Sequence, residues 1–286
     1  MQRRFKQVDV FTAEGLRGNP LAVVLDSAGL DTAAMQRFTD WTNLSEATFL
    51  AAPQNPAADY AVRIFCPGRE LPFAGHPTLG SCHAWLEAGG RPRGEHVVQE
   101  CGVGLVRIRR DGGRLAFAAP PLHRSGPLDE ADVALIARGL GVPRADIVAH
   151  AWCDNGPNWR GVLLKSAEQV LALAPDAQVL AGLDVGVVGP RGKVGVVAAQ
   201  GSGHDTQFEV RAFFPGARGI TEDPVTGSLN AALAQWLIGA GLAPPRYVAA
   251  QGTALGRAGR VFVEQAGEDI WIGGGSVTVV DGTVRI

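Results

Sequence analysis

The sequence is poor in the residues that hold metal ions. Its four cysteines have separations that fit no C-x-x-C metal site, and they are Cys66, Cys82, Cys101 and Cys153. Its six histidines include no H-x-x-x-H or H-E-x-x-H pair. We therefore expect no metal ion. In a cytosolic chain we also expect the cysteines to be reduced and buried rather than bridged.

The sequence also lacks the glycine-rich motifs that bind phosphate groups. Neither a P-loop nor a G-x-G-x-x-G run after a strand occurs, so no nucleotide or other cofactor is predicted. The net charge of −2 offers no basic surface to nucleic acid. No hydrophobic run is long enough to span a membrane, and no apolar signal-peptide core follows the basic N-terminus. We expect a soluble cytoplasmic protein with neither nucleic acid nor membrane as a partner.

What the sequence does contain is a repeated stretch. F-A-G-H-P-T-L-G-S at residues 73–81 is echoed by T-E-D-P-V-T-G-S at residues 221–228. Each copy follows an R-x-F-x-P-G run, which begins at Arg63 in the first copy and at Arg211 in the second. The offset is 148 residues between the arginines and 147 within the loops, which predicts that the second loop is one residue shorter.

A repeat offset by half the chain predicts two structurally similar halves. Gln99 before a turn and strand is echoed in the same order by Gln251, which favours an internal duplication over chance. We place an N-terminal lobe at residues 1–118 and a C-terminal lobe at residues 119–276. We expect a strand at residues 277–286 to return and complete the sheet of the first lobe.

The pattern of apolar residues and chain breakers predicts helices that alternate with strands. The helices are expected at residues 31–42, 78–88, 129–140 and 227–240, and one of the strands at residues 195–199. The exposed N–H groups and the dipole of a helix start favour an anion. Two such starts facing each other would hold one small anionic molecule.

His76 and Asp223 align within the repeat but differ in type. A duplicated scaffold needs the neighbouring Pro, Gly and Ser for its backbone shape, but it has no need of His in one copy and Asp in the other. A histidine and a carboxylate at two helix starts can hold a substrate and shuttle protons. The alternative is that His76 caps its own loop and that Asp223 is an ordinary N-cap.

Glu46 is a further candidate, because the corner N-L-S-E at residues 43–46 joins a helix to an apolar strand. A carboxylate against apolar neighbours is suited to proton transfer near neutral pH. A solvated turn glutamate is the alternative, and the residues alone favour it.

Each of the other polar residues near the repeat has two possible roles. Ser81 and Ser228 lie outside G-x-S-x-G, so they are expected to bond a substrate or cap a helix rather than act as nucleophiles. Asn19 either donates to a ligand or stabilises a turn. Arg63 and Arg211 either bind an anion or form structural ion pairs.

In their order along the chain, these motifs resemble those of the PhzF-like family of phenazine biosynthesis. The matching blocks are V-D-V-F-T at residues 8–12, G-N-P at 18–20, N-L-S-E at 43–46, E-L-P-F-A-G-H-P-T at 70–78 and E-D-P-V-T-G-S at 222–228. The fourth block is highly specific and the fifth nearly so. The resemblance covers almost the whole chain.

The resemblance implies an α+β, diaminopimelate-epimerase-like fold. This fold has two pseudo-symmetric lobes, each a curled sheet around a central helix, with the active site between them. It also implies a cofactor-free isomerase that moves a proton on a small unsaturated carboxylic acid, in the way that the family isomerises dihydro-hydroxyanthranilate. Members of the family are commonly homodimers, so a homodimer is expected that binds a small anionic metabolite.

The resemblance also implies roles for individual residues. The family's general acid/base falls on Glu46, and its histidine and aspartate fall on His76 and Asp223. The positions that contact the substrate are Asn19, Gly75, Gly227 and Ser228. Glu46, which the residues alone disfavour, becomes the first choice.

Two other functions remain open. Related racemases and epimerases use a pair of cysteines at the two helix starts, which the alignment of the repeat puts at Gly75-His76 and Glu222-Asp223. A two-thiol racemase is therefore disfavoured, but a racemase or epimerase of an amino or hydroxy acid with the same site is not. A metabolite-binding protein that has kept the motifs without turnover is the third possibility.

Overall fold

The chain folds into two compact units in a computed structural model. The units are Met1–Ala118 together with Gly273–Ile286, here called the N-terminal unit, and Ala119–Ile272, the C-terminal unit. The structure describes residues 1–192, 205–216 and 219–286. The strand expected at residues 195–199 lies outside the described residues.

The N-terminal unit is built on strands from both ends of the chain. Its elements are β1 (Gln2–Val10), β2 (Asn19–Val24), α1 (Thr32–Thr42), β3 (Ala47–Ala51), β4 (Tyr60–Cys66), β5 (Arg69–Leu71), α2 (Gly75–Glu87), β6 (Val97–Cys101), β7 (Gly104–Asp111), β8 (Arg114–Ala118) and β17 (Ser276–Arg285). Strand β17 pairs antiparallel with β1, so that Gln2 lies opposite Arg285 and Val10 opposite Ser276. The last strand of the chain therefore belongs to the sheet of the N-terminal unit.

Helix α2 is buried over most of its length. Its residues from Gly75 to Cys82 are all buried, and it contacts β1, β2, β3, β6, β8 and β17. A Cβ on Gly80 would lie 2.6 Å from the Leu21 side chain, so glycine is required for this close approach. Strands surround most of the helix, as expected of a core helix.

The C-terminal unit has its own set of strands and helices. They are α3 (Glu130–Leu140), β9 (Ile147–Asp154), β10 (Asn158–Leu164), α4 (Ala167–Leu171), β11 (Val185–Pro190), β12 (Phe208–Gly216), β13 (Gly219–Asp223), α5 (Gly227–Gly239), β14 (Arg246–Gln251), β15 (Gly259–Ala266) and β16 (Asp269–Gly274). Helix α5 is the buried helix of this unit, and a Cβ on Gly186 would lie 2.2 Å from Leu229 of α5.

The two units share one order of strand pairing. From β1 to β7 the pairs β1–β2, β2–β3, β3–β4, β4–β6 and β6–β7 are antiparallel, parallel, antiparallel, parallel and antiparallel. The pairs β9–β10, β10–β11, β11–β12, β12–β14 and β14–β15 repeat that order. Each unit is thus a mixed sheet with one central buried helix.

The predicted offset within the repeat is wrong. Phe65 lies opposite Glu70 in the first unit, and Phe213 lies opposite Glu222 in the second. The offset therefore grows from 148 to 152 within the hairpin, and it is still 152 between Gly75 and Gly227, where the two 13-residue helices begin. The second loop is four residues longer rather than one shorter, because the β12–β13 hairpin is longer than the β4–β5 hairpin.

Three local features of the structure were not predicted. Helix α2 begins at Gly75 rather than at residue 78. Trp41, in the last turn of α1, is 77% exposed. The short helix α4 was not predicted, and Ser166 caps it by accepting a hydrogen bond from the Gln169 N–H.

The described part of the chain shows no helix long and apolar enough to cross a membrane. Within the same residues, no three His, Cys, Asp or Glu side chains are grouped as metal ligands would be. All four cysteines are unbridged, and Cys82 and Cys153 are buried.

The two arginines that precede the repeated loops form matching ion pairs. Arg63 binds both carboxylate oxygens of Glu70, and Arg211 binds both of Glu222. Arg211 also donates to the carbonyl oxygens of Val170 and of Leu173. Each arginine therefore links a strand to its hairpin partner. Of the two roles considered for these arginines, anion binding and a structural ion pair, the contacts show the ion pair.

The two pairs differ in burial, and this difference predicts unequal effects on stability. The Arg211 and Glu222 side chains are 7% and 12% exposed, whereas those of Arg63 and Glu70 are 38% and 39% exposed. Glu222→Gln should lower the free energy of unfolding by about 3 kcal/mol, since it leaves a buried arginine charge uncompensated. Glu70→Gln, the matched control, should cost about 1 kcal/mol or less. Urea unfolding measures both, and equal losses would contradict the expectation.

Candidate functional site

The corner that carries Glu46 is shaped by the residues on either side of it. Helix α1 ends at Thr42, and its C-cap Asn43 has a left-handed backbone with φ of 56°. Asparagine is among the residues that tolerate this conformation. Leu44 packs against the core cluster of Phe49 and its neighbours, so the chain turns inward and delivers Glu46 to the start of β3.

Glu46 lies beside His76. The Glu46 Oε2 atom is 3.4 Å from the His76 Nε2 atom, and the side chains are 16% and 4% exposed. Glu46 is therefore not a solvated turn residue. His76 is the second residue of α2, which carries its ring into the interior of the N-terminal unit.

The contacts of His76 assign its protonation state. Burial lowers the pKa of His76 to about 3, although the nearby Glu46 carboxylate favours the charged ring. We therefore take His76 as neutral near pH 7. The Asn19 Nδ2 atom lies 3.4 Å from His76 Nδ1, and an amide nitrogen can only donate. His76 Nδ1 is then the acceptor, and Nε2 carries the proton.

This assignment makes a spectroscopic prediction. Asn19→Asp puts an acceptor where the amide donates, so the His76 proton should move to Nδ1 and Nε2 should lose it. Nitrogen-15 NMR of the labelled protein distinguishes the two tautomers directly. Asn19→Gln keeps the amide and serves as the control, and an unchanged tautomer in Asn19→Asp would contradict the assignment.

Asp9 positions the loop that presents Asn19. The Asp9 Oδ2 atom accepts hydrogen bonds from the backbone N–H groups of Arg17 and Gly18, at 2.7 and 2.9 Å. Asp9 is only 2% exposed. Sequence reasoning missed this role, although an aspartate between two buried valines of β1 is the signal that could have shown it.

Asp223 is held at the end of a strand. It is the last residue of β13, and its Oδ2 atom accepts a hydrogen bond of 2.6 Å from the Thr226 hydroxyl. The expectation that Asp223 stands at a helix start is wrong, since α5 begins four residues later at Gly227 and its N-cap is Thr226. The longer hairpin places Asp223 on the strand.

Ser228 is bracketed by two residues that the sequence reasoning missed. The Asn155 Nδ2 atom donates to the Ser228 carbonyl oxygen at 2.9 Å, and the Trp159 Nε1 atom donates to the Ser228 hydroxyl at 3.2 Å. Gly227 and Ser228 are the first two residues of α5. Ser81 is different, because it is fully buried and donates to the Thr48 hydroxyl.

The corrected offset changes which residues correspond between the units. The residue pairs that share a place are Ala74 and Thr226, Gly75 and Gly227, His76 and Ser228, and Leu71 and Asp223. The two helix starts therefore hold A-G-H and T-G-S, rather than Gly75-His76 and Glu222-Asp223. Neither contains a cysteine.

The same registers identify a second acid that sequence reasoning missed. Ala47 lies opposite Phe65 and Val185 lies opposite Phe213, so Asp184 holds the place in the C-terminal unit that Glu46 holds in the N-terminal unit. The spacing of the repeated motifs could not reveal that Asp184 corresponds to Glu46. These two residues are 138 positions apart, whereas the motifs suggested an offset of 147 or 148.

Comparison with known proteins gives one consistent match. A family model described as phenazine biosynthesis-like protein (PhzC-PhzF) matches residues 8–282. Antisense-enhancing sequence 1 of Schizosaccharomyces pombe is 34% identical over 98% of both chains. Trans-2,3-dihydro-3-hydroxyanthranilate isomerase of Pseudomonas aeruginosa is 33% identical over 93% of this chain and 92% of its own.

Solved structures agree with the family match. A PhzF family protein of Enterococcus faecalis superimposes with a TM-score of 0.79 and 26% identity over the full length of both chains. A hydroxyproline epimerase of Agrobacterium vitis has a TM-score of 0.57 at 13% identity, over 99% of this chain and 92% of its own, which shows the fold alone. These matches confirm the predicted α+β, diaminopimelate-epimerase-like fold.

Proposed function

Because the chain belongs to the phenazine biosynthesis-like (PhzF) family of isomerases, we propose that it moves a proton on a small unsaturated carboxylic acid with Glu46 as general acid/base. The observation that carries this proposal is that Glu46, 16% exposed, lies 3.4 Å from the buried and neutral His76. A carboxylate that is largely shielded from water and lies beside a neutral ring is suited to take and return a proton. The proposed reaction uses no cofactor.

The proposed step conserves atoms and charge. The Glu46 carboxylate removes a proton from a carbon next to a conjugated system, and the electron pair of the broken C–H bond spreads over that system. The resulting carboxylic acid returns the same proton to another carbon of the conjugated chain. His76 remains neutral beside the Glu46 carboxylate, with its Nε2 atom 3.4 Å from Glu46 Oε2.

The substrate-holding roles follow from the positions of the remaining residues. We assign Asn19 to hold His76, and Gly75 to let the substrate approach the first turn of α2. In the C-terminal unit, we assign Gly227, Ser228 and Asp223 to substrate contact. The N–H groups of a helix start favour a carboxylate, which is the chemistry of a small anionic metabolite.

The relative from Pseudomonas aeruginosa supports the substrate class. It is named as an isomerase of trans-2,3-dihydro-3-hydroxyanthranilate, which is an unsaturated ring acid. We propose an acid of this kind for the present chain. A two-thiol racemase is disfavoured, because neither helix start, A-G-H at residues 74–76 or T-G-S at residues 226–228, contains a cysteine.

Proton-exchange NMR in deuterated buffer tests the proposal. We would incubate the wild-type protein with a panel of unsaturated ring acids, open-chain unsaturated acids, amino acids and hydroxy acids. Deuterium entry with a shift of unsaturation supports the isomerase. Entry at a stereocentre without such a shift would instead identify a racemase or epimerase. Ligand line broadening without exchange for any acid would favour a binding protein and contradict the proposal.

A further inference from the structure

A chain of buried side chains leads to the Asp223 carboxylate. The Gln251 Nε2 atom donates to the Thr226 hydroxyl at 2.9 Å and to the Asp223 carbonyl oxygen at 3.1 Å. The Thr226 hydroxyl in turn donates to Asp223 Oδ2 at 2.6 Å. We propose that Thr226 and Gln251 are positioning residues that orient the Asp223 carboxylate for the reaction, an inference that rests on the proposed function.

The direction of each hydrogen bond in this chain is determined by its neighbours. Gln251 Oε1 accepts from the Thr226 backbone N–H at 3.0 Å and from Asn230 Nδ2 at 2.8 Å. The amide nitrogen of Gln251 must therefore face the Thr226 hydroxyl. Since that hydroxyl accepts from Gln251, its single proton goes to Asp223 Oδ2, and 2.6 Å is typical of an O–H bond to a carboxylate.

The side chains in this series of hydrogen bonds are buried. Gln251 is fully buried, Asn230 is 1% exposed and Thr226 is 6% exposed. Water cannot readily replace a lost partner there, and hydrogen bonds are stronger in such surroundings. One oxygen of Asp223 is thereby held in a single direction.

The N-terminal unit shows that a buried helix can begin without a contact between a hydroxyl and a carboxylate. Gln99 corresponds to Gln251 and is also fully buried, and it donates to the Thr78 hydroxyl at 3.1 Å. Thr78 corresponds to Asn230, so both units link a glutamine to the first turn of the buried helix. In the N-terminal unit, however, Ala74 and Leu71 stand where Thr226 and Asp223 stand. The hydroxyl–carboxylate contact therefore serves Asp223 rather than helix α5.

The first test is structural and independent of any substrate. Thr226→Val keeps the shape of the side chain and removes its hydroxyl, while Thr226→Ser retains it. In crystal structures, the Asp223 carboxylate should leave its position in Thr226→Val and keep it in Thr226→Ser. An unmoved carboxylate in Thr226→Val would overturn the proposal whatever the activity of the protein.

The second test is kinetic and uses the acid that exchanges fastest with the wild type. Thr226→Val should lower kcat about tenfold to a hundredfold, as expected for the loss of a hydrogen bond to a charged group, and change KM less than about threefold. Thr226→Ser should restore kcat to within about threefold of the wild type. Thr39→Val, the control, removes another buried threonine hydroxyl, which donates to the Met35 carbonyl oxygen within α1; it should lower Tm and keep kcat within about twofold.

The outcomes separate this proposal from the proposed function. A wild-type kcat retained by Thr226→Val, or a loss that Thr226→Ser does not restore, overturns the positioning role. If the wild type exchanges no acid, the proposed function fails. The crystal structures then still decide whether Thr226 orients Asp223.

Discussion

Glu46→Gln should lower kcat for proton exchange by about 10²–10⁴-fold, the usual contribution of a general acid/base. The amide matches the carboxylate in size, but it cannot take a proton from carbon. Ligand binding should persist, so line broadening of the bound acid should remain in the variant. Exchange NMR and ligand NMR on the same sample measure both effects.

The matched control for this variant is Glu95→Gln, which removes the same charge from an exposed position in the N-terminal unit. It should retain kcat within about twofold, since surface substitutions away from special features rarely matter. If Glu46→Gln kept more than about a tenth of the wild-type turnover, Glu46 would not be the general acid/base. Equal losses in both variants would point to a general effect of charge.

Acid should destabilise the protein through His76. Burial lowers the pKa of His76 to about 3 in the folded state, whereas an exposed histidine in the unfolded chain titrates near 6.5. Between these values the unfolded state binds a proton that the folded state does not, so stability falls as the pH falls. From about pH 6.5 to 4, this one group should remove about 3 kcal/mol from the free energy of unfolding.

His76→Gln isolates this contribution, because other groups also titrate below pH 5. Urea unfolding of both proteins at a series of pH values gives the difference in slope. The wild type should lose stability more steeply than His76→Gln between pH 6 and 4, and the two slopes should agree above pH 7. Parallel curves throughout would show that His76 is not held neutral by the fold.

The motifs were informative wherever local chain geometry decides the structure. Asn43 adopts the left-handed backbone that ends α1, and Gly75 opens a helix that strands surround. Such features depend on neighbouring residues, so short patterns predicted that a corner and a helix lie here, although the helix was expected to begin at residue 78. The family resemblance added the candidate role of Glu46, which the isolated corner did not favour.

The correspondence between the two halves could not be obtained from motif spacing. The patterns H-P-T and D-P-V suggested that His76 and Asp223 are equivalent, but strand register pairs Leu71 with Asp223 and His76 with Ser228. A hairpin can lengthen by four residues without disturbing the sheet, because the added residues extend its own two strands. The two similar sequence patterns therefore occupy different positions in the fold.

The sequence alone determined the family, the α+β class and the set of polar residues from which a site can be built, because these depend on motif and composition. Only the tertiary structure decided how those residues act on one another. It placed Glu46 beside a buried His76, gave that ring its tautomer through Asn19, and bound Asp223 to Thr226. These contacts join residues that strand pairing and helix burial bring together, and no local pattern in the chain encodes such distances.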